Sequence, residues 1–192
     1  MYLTIGSIAV LVVTALIAAG TYKALIGKRN RYKKAYAQID VQLKRRYDII
    51  PSLVETVRAY LRQDADTLET LLRARNSAYG VSQRAAENAG DPPTMKALGA
   101  AEATLANGLY RILQLSESHP ELVADQNMRE LSDELTMTEN RFAFARQAYN
   151  DCVTQYNDSR ETLPALLFAG MLGFGSAAHL DSIDAREDSG AR

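Results

Sequence analysis

An uncharged apolar run near the start of the chain is the feature that most constrains the fold. From Leu3 to Gly20 the sequence reads LTIGSIAVLVVTALIAAG and contains no Asp, Glu, Lys or Arg. At 1.5 Å per residue this run forms a helix about 27 Å long, which matches the hydrocarbon thickness of a bilayer. The sequence therefore predicts a single N-terminal transmembrane helix, within a membrane anchor that covers residues 1–27.

The charges that follow the run predict its orientation. No acidic residue occurs before Asp40, and the basic residues up to that point are Lys23, Lys28, Arg29, Arg31, Lys33 and Lys34. Basic residues next to a span favour the cytoplasmic side. A cleaved signal peptide is the alternative, but it carries its basic residues before the apolar stretch. We therefore expect a single-pass protein with its N-terminus outside and the rest of the chain in the cytoplasm.

The basic cluster also predicts contact with lipid headgroups. Its members directly follow the apolar run: Lys28, Arg29, Arg31, Lys33 and Lys34. Each cation close to an anionic membrane surface contributes about 1 kcal/mol of binding free energy. RNA is the alternative partner because Tyr32 lies within the cluster, but the formal net charge of the chain is only -1. We expect membrane lipids, and no nucleic acid, as partners.

Apolar residues then recur at steps of three and four, which is typical of an amphipathic helix. The first such stripe runs from Ala35 to Tyr79 and is weakened at Pro51 and at the segment RQDAD. Proline removes one backbone donor, so we expect either a kink or a restart of the helix capped by Asp48. The glycines and prolines from Gly80 to Met95 predict a loop that turns the chain back.

Two further stripes complete the predicted bundle. One covers about Met95 to Glu117, and the more regular one runs from Met128 to Tyr156. Three such stripes can bury one another. The predicted fold class is all-α: a single N-terminal transmembrane helix followed by an elongated antiparallel helical bundle of three to four helices, with the bundle in residues 28–160.

The C-terminal part of the chain has a different composition. Residues 161–180 form an apolar segment, and residues 181–192 are predicted to be a disordered acidic tail. The apolar segment either enters the membrane or its interface, or docks on the bundle or on a neighbouring subunit. For the docked case we expect self-association through Leu167, Phe168, Met171, Leu172 and Phe174.

Residues able to carry out catalysis are sparse. The sequence contains no phosphate-binding loop, nucleophile elbow or zinc-protease motif. The single cysteine, Cys152, falls on the apolar stripe and is predicted to be a structural thiol. The only histidines are His119 and His179, and neither follows a glutamate at the spacing that dimetal bundles use. The sequence therefore predicts no catalytic residues, no cofactor and no metal site.

Two stretches of the chain resemble a known family. AYAQIDVQLKRRYDIIPSLVETVRAY is similar to the first signature of the LemA family, and LSDELTMTENRFAFARQAYNDCVTQYN is similar to its second. LPALLFAGMLGF resembles the C-terminal element of that family. The sequence departs from the family pattern at His119 and after Gly173, where it continues FGSAAHLD. The matched positions are Asp40, Arg46, Asp48, Pro51, Glu139, Asn140, Arg141, Arg146, Tyr149 and Asn150.

The resemblance implies a membrane-anchored helical bundle and does not imply an enzyme. Some members of the family are associated with magnetosome membranes, which favours a role in organising the bacterial inner membrane. We interpret the matched charged positions as a polar seam that fixes the register of the bundle. Its members are Asp40, Arg46, Asp48, Glu139, Arg146 and Asn150. A surface that binds a partner is the alternative interpretation.

Two functional hypotheses follow. The first is a non-enzymatic, self-associating scaffold that organises the bacterial membrane or envelope as a homo-oligomer. The second is an adaptor that recruits a membrane protease or another envelope protein. An enzyme would need a pocket with perturbed carboxylates, and the sequence does not predict one.

Overall fold

The described chain is built from helices alone. The computed structural model describes residues 2–61 and 64–181, and these contain six helices and no strand. The helices are α1 (Tyr2–Arg58), α2 (Ala65–Glu87), α3 (Pro92–Glu117), α4 (Pro120–Val123), α5 (Gln126–Glu161) and α6 (Ala165–Phe168). The predicted all-α fold class is confirmed. Beyond Asp181, the tail that is predicted to be disordered lies outside the described residues.

Helix α1 is long and continues through its proline. It extends for 57 residues with Pro51 in its interior. The predicted restart of the helix at Asp48 is therefore wrong. The chain leaves the helix after Arg58 and resumes it at Ala65, so the break falls at the second weak point in the sequence.

The turn between α2 and α3 is much shorter than predicted. Helix α2 continues from Gly80 to Glu87, so the predicted loop is wrong over that part. Only the four residues from Asn88 to Asp91 connect the two helices. Gly90 adopts φ +91°, a conformation that glycine tolerates at a helix end. The Asp91 side chain caps α3 by accepting a hydrogen bond from the Thr94 N–H at 3.1 Å.

The long helices run alternately up and down. Three contacts fix α1 and α5 as an antiparallel pair: Lys28 with the Gln155 carbonyl, Arg45 with Glu134, and Tyr60 with Asp125. Helix α2 packs against both α1 and α3, whereas α3 and α5 do not pack closely along their length. This arrangement leaves a groove between α3 and α5, with α1 at its base.

The end of the bundle nearest the apolar run has a core of tyrosines. Tyr32 makes edge-to-face ring contacts with Tyr149 and Tyr156, at centroid distances of 6.3 and 5.2 Å. Tyr36 makes the same kind of contact with Tyr149 at 5.7 Å. Such pairs add about 0.5–1.5 kcal/mol each beyond the burial of apolar area. These rings join the start of α1 to the end of α5.

Candidate functional site

A cluster of charged side chains lies inside the bundle where α1, α3 and α5 meet. Arg46 is 5% exposed and Glu102 is fully buried. The Arg46 Nη1 lies 3.3 Å from Glu102 Oε2 and 3.2 Å from Glu139 Oε2. The Tyr47 phenol donates a hydrogen bond to the other Glu102 oxygen. One guanidinium thus joins three helices, as expected of a residue that fixes register.

Burial controls the protonation of this cluster. Desolvation raises the pKa of the Glu102 carboxyl above its ordinary value of 4.5, while Arg46 and the hydrogen bond from Tyr47 act in the opposite direction. Burial also raises the pKa of the Tyr47 phenol, and the charge of Glu102 raises it further. Tyr47 therefore remains a proton donor to Glu102 at neutral pH.

The groove between α3 and α5 opens onto this cluster. It has a volume of about 320 Å³, and its walls are mostly apolar: Leu109, Tyr110, Leu113 and Leu135 stand beside Arg46 and Glu139. Two carboxylates already occupy Arg46, so it is not a free anion site. No group of histidine, cysteine or acidic side chains able to hold a metal occurs in the described residues. The groove therefore suits an apolar side chain better than a charged ligand.

The other predicted seam residues have different partners. Asp40 pairs within α1 with Lys44, and Asp48 lies 4.0 Å from Arg75 of α2 with its own side chain 79% exposed. Arg146 and Asn150 contact the C-terminal segment instead of a neighbouring long helix. Of the predicted seam only Arg46 is buried, and it pairs across helices with Glu139, whose side chain is 47% exposed.

Asparagine side chains hold the C-terminal segment in an extended form along α5. Asn157 donates to the Ala177 carbonyl at 2.8 Å and accepts from the Ala177 N–H at 3.0 Å. Asn150 makes the same paired contact with both backbone groups of Leu180, at 3.0 and 2.9 Å. Within the described part of the segment, these asparagines bind backbone groups only and make no hydrogen bond to a side chain. We call residues Gly175 to Asp181 the C-terminal strap.

The strap also reaches tyrosines and the α2–α3 turn. Tyr156 and Tyr149 donate their phenol protons to the carbonyls of Gly175 and Ala178. The Ala178 N–H donates to the Gly90 carbonyl at 2.9 Å, and Leu180 is fully buried. The strap therefore fastens the turn before α3 to α5.

Sequence reasoning missed Glu102 and Asn157. Glu102 lies four residues after Leu98 and three before Leu105, so a charged side chain on the apolar stripe was the available signal. Asn157 follows Asn150 by seven residues, which places both amides on one face of α5. That spacing was the signal for the strap.

The predicted lipid-contact residues extend far along α1. Arg29, Arg31, Lys33 and Lys34 are exposed, and Lys28 is partly covered where it reaches the Gln155 carbonyl. Arg29 lies about 14 Å and Lys34 about 21 Å along the helix axis from Gly20. Surface charges are screened beyond about 8 Å at physiological salt. Lys28 and Arg29 are therefore the members of the cluster closest to the apolar run, and Lys34 is the furthest from it.

The predicted self-association residues separate into two groups. Phe174 is 4% exposed and its ring packs edge-on against Tyr22 at 5.6 Å, so little of its surface is available to a second molecule. Phe168 is partly buried. Leu167, Met171 and Leu172 are 64%, 87% and 37% exposed and are free to contact other molecules.

The first part of α1 extends beyond the bundle. Within the described residues it is the one helix long and apolar enough to cross a membrane. Its side chains are uncovered, since Ile8, Leu11 and Leu16 are 61%, 69% and 67% exposed. Thr21 and Leu25 are buried, so the bundle begins directly after Gly20.

The comparison with known families agrees with this arrangement. The chain matches the family model described as the LemA family over residues 35–189, which covers most of the bundle, the strap and most of the tail. No curated protein matches the sequence. The match spans most of the chain, and the chain therefore belongs to the LemA family.

Proposed function

We propose that this LemA family protein is a membrane-anchored, non-enzymatic helical bundle that acts as a self-associating scaffold of the bacterial membrane or envelope. The observation that carries the proposal is the exposed first part of α1. Its large apolar side chains are uncovered while the rest of the chain forms a closed core. Exposing such a helix to water is costly, and a bilayer removes that cost.

The distribution of charge supports the proposed orientation. Lys23, Lys28 and Arg29 follow the apolar run, and the chain before Gly20 contains no charged side chain. The positive-inside rule then places the bundle in the cytoplasm and the N-terminus outside. The location that fits is the bacterial inner membrane.

The exposed run supports self-association through the membrane. Ala15 and Ala19 lie one helical turn apart, as do Thr14 and Ala18, so two faces of the helix carry small residues. Small residues at this spacing let two membrane helices approach closely. Ala15 and Ala19 are exposed.

Light scattering of the full chain after size exclusion in detergent tests the proposal. We expect an oligomer, and we expect Ala15→Leu/Ala19→Leu to shift it toward monomer because the added bulk separates the two helices. Val13→Leu/Ile17→Leu is the matched control because these positions lie on the opposite side of α1. A monomeric wild-type protein, or equal behaviour of the two double variants, would contradict the proposed association.

An adaptor is the second candidate, and the groove between α3 and α5 favours it. Its apolar walls suit a side chain or a helix from an envelope protein such as a membrane protease. Crosslinking in native membranes would then capture a different protein in fixed ratio. Leu113→Glu in the groove should abolish that capture, while Val41→Glu, at an exposed site elsewhere, should not.

A further inference from the structure

Apolar side chains are concentrated on the turn that follows α5. Leu163, Leu166, Leu167 and Met171 are 71%, 56%, 64% and 87% exposed. The sequence from Thr162 to Leu180 contains no Asp, Glu, Lys or Arg. We call residues Leu163 to Leu172 the apolar turn. Soluble surfaces rarely carry such a dense apolar group without a partner.

Contacts with α1 determine where the apolar turn lies along the axis of that helix. Helix α6 packs against both α1 and α5, and the Phe174 ring lies against Tyr22 at 5.6 Å. Tyr22 follows Gly20 by about 3 Å along the axis. Phe174 follows Met171 by three residues, which is a reach of about 10 Å at most. The exposed side chains therefore lie beside the end of the apolar run.

This position along α1 corresponds to the polar interfacial layer of a bilayer. The polar layer on each side of the hydrocarbon core is about 5–8 Å thick. If the run from Leu3 to Gly20 fills the core, Tyr22 lies in that layer, where tyrosine side chains are enriched in membrane proteins. Lys23 follows at the same level with its charge available to headgroups.

We propose that the apolar turn is a second membrane contact, which inserts Leu163, Leu166, Leu167 and Met171 into the lipid interface beside α1. The inference rests on the proposed anchoring of α1 in a bilayer. We assign lipid as the partner because the apolar turn lies beside the end of the apolar run of α1, where a bilayer already surrounds that helix. Of the sequence-based alternatives for the apolar segment, this is the membrane interface, and it replaces self-association through Leu167, Met171 and Leu172.

A second membrane contact restrains the orientation of the bundle relative to the membrane. One helix alone lets the bundle tilt and rotate about the point where α1 leaves the membrane. Insertion of a neighbouring segment holds α5 as well, because the strap and Phe174 bind that segment to the bundle. The basic residues of α1 then keep a fixed distance from the headgroups.

Depth-dependent fluorescence quenching tests the proposal with the full chain in vesicles of phosphatidylcholine and phosphatidylglycerol. In a Cys152→Ser background, Leu167→Cys or Met171→Cys carries an environment-sensitive dye, and lipids carry a nitroxide on the headgroup or at mid-chain. We expect a blue-shifted emission that the headgroup nitroxide quenches most. Val123→Cys, which is 50% exposed at the opposite end of the bundle, should not be quenched.

The same experiment separates failure of this inference from failure of the proposed anchor. Leu11→Cys, in the exposed part of α1, should be quenched most by the mid-chain nitroxide. Quenching at Leu11→Cys without quenching at Leu167→Cys overturns the second membrane contact and leaves the anchor intact. If Leu167→Cys instead forms crosslinks between copies, a second copy is the occupant. No quenching at either position overturns the anchor itself.

Discussion

The Arg75 side chain of α2 donates its Nε–H to the main-chain carbonyl of Tyr47 in α1, at 2.9 Å. In an unbroken helix this carbonyl accepts from the residue four positions later, which here is Pro51 and has no N–H. The donor that proline removes is thus supplied by a neighbouring helix. The Arg75 guanidinium also lies over the Tyr79 ring at 5.3 Å, which helps to orient it.

A double-mutant cycle should detect this compensation. Arg75→Met removes the donor and leaves a part-buried carbonyl unsatisfied, so we expect a loss of about 1–3 kcal/mol in unfolding free energy. In a Pro51→Ala background the loss should be smaller, because Ala provides the missing N–H. Thermal unfolding followed by circular dichroism in detergent measures both. Arg111→Met, at an exposed site, is the control, and an equal loss in both backgrounds would disprove the compensation.

Removal of the Arg46 guanidinium should unfold the protein more easily than any surface charge change. Arg46→Met leaves the buried Glu102 carboxyl without its cation, which costs about 3–5 kcal/mol for such pairs. Arg73→Met breaks an exposed pair with Glu69 and should cost less than about 1 kcal/mol. Denaturant unfolding of both variants makes the comparison. Recovery of stability in Arg46→Met/Glu102→Gln would identify the unpaired carboxyl as the cause.

The stability of the protein should depend on pH through Glu102. Burial raises its folded pKa above 4.5, so the folded protein holds this proton more tightly than the unfolded chain does. The contribution of this proton to the unfolding free energy is fully present below pH 4.5 and is lost as the pH rises through the folded pKa of Glu102. Glu102→Gln cannot titrate.

The unfolding free energy of wild type minus that of Glu102→Gln should therefore fall over the pH range above about 4.5. Taking the difference cancels the other carboxyl groups. The charged neighbours that face Glu102 are Arg46 on α1 and Glu139 on α5, and Tyr47 donates to it. A difference that stays constant or rises over this range would show that burial does not govern the pKa of Glu102.

Loss of one asparagine should release one half of the strap. Asn157→Ala removes both hydrogen bonds to Ala177, and we expect a loss of about 2 kcal/mol in unfolding free energy. Hydrogen exchange should accelerate at the Ala177 amide far more than at the amides in the middle of α5. Asn127→Ala, at an exposed site on the same helix, should leave exchange in the strap unchanged.

Two glycine substitutions should have opposite effects. A Cβ on Gly90 would lie 2.8 Å from the Tyr32 ring and would force φ +91° on alanine, so Gly90→Ala should cost about 1–3 kcal/mol or more. Gly80 lies within α2, where a Cβ meets nothing within 4 Å. Gly80→Ala should therefore stabilise the protein by about 0.5–1 kcal/mol. Melting temperatures that shift in the same direction would contradict this assignment.

Helical periodicity predicted most of the core correctly. Ile39, Leu43, Ile50 and Leu98 belong to the predicted stripes and all are fully buried. The end of α2 was missed because its buried positions are Ala78, Ser82 and Ala85, which are too small to form a visible apolar stripe. Gly80 was interpreted as a breaker, but a glycine inside a helix costs only about 1 kcal/mol relative to alanine.

The site was harder to predict than the fold. The matched positions included Arg46 and Glu139, but pairing requires knowledge of which helices face each other, and α3 with Glu102 was not expected there. Docking of the C-terminal segment on the bundle was one of the predicted alternatives, but its hydrogen bonds were not predicted because they join asparagine side chains to backbone groups. Such bonds leave no periodic pattern in the strap itself.

The pairing of α1 with α5 has a consequence for synthesis of the chain. Lys28 and Gln155 are 127 positions apart, so the partner of α1 is synthesised long after α1 itself. Contacts between such distant residues form late because a long loop must close first. Helices α2 and α3 can form their hairpin while α5 is still being synthesised. The face of α1 that carries Tyr32 and Tyr36 has no partner during that time. A chain stopped before α5 would leave that face uncovered, and such exposed apolar surface makes incompletely folded chains prone to aggregation.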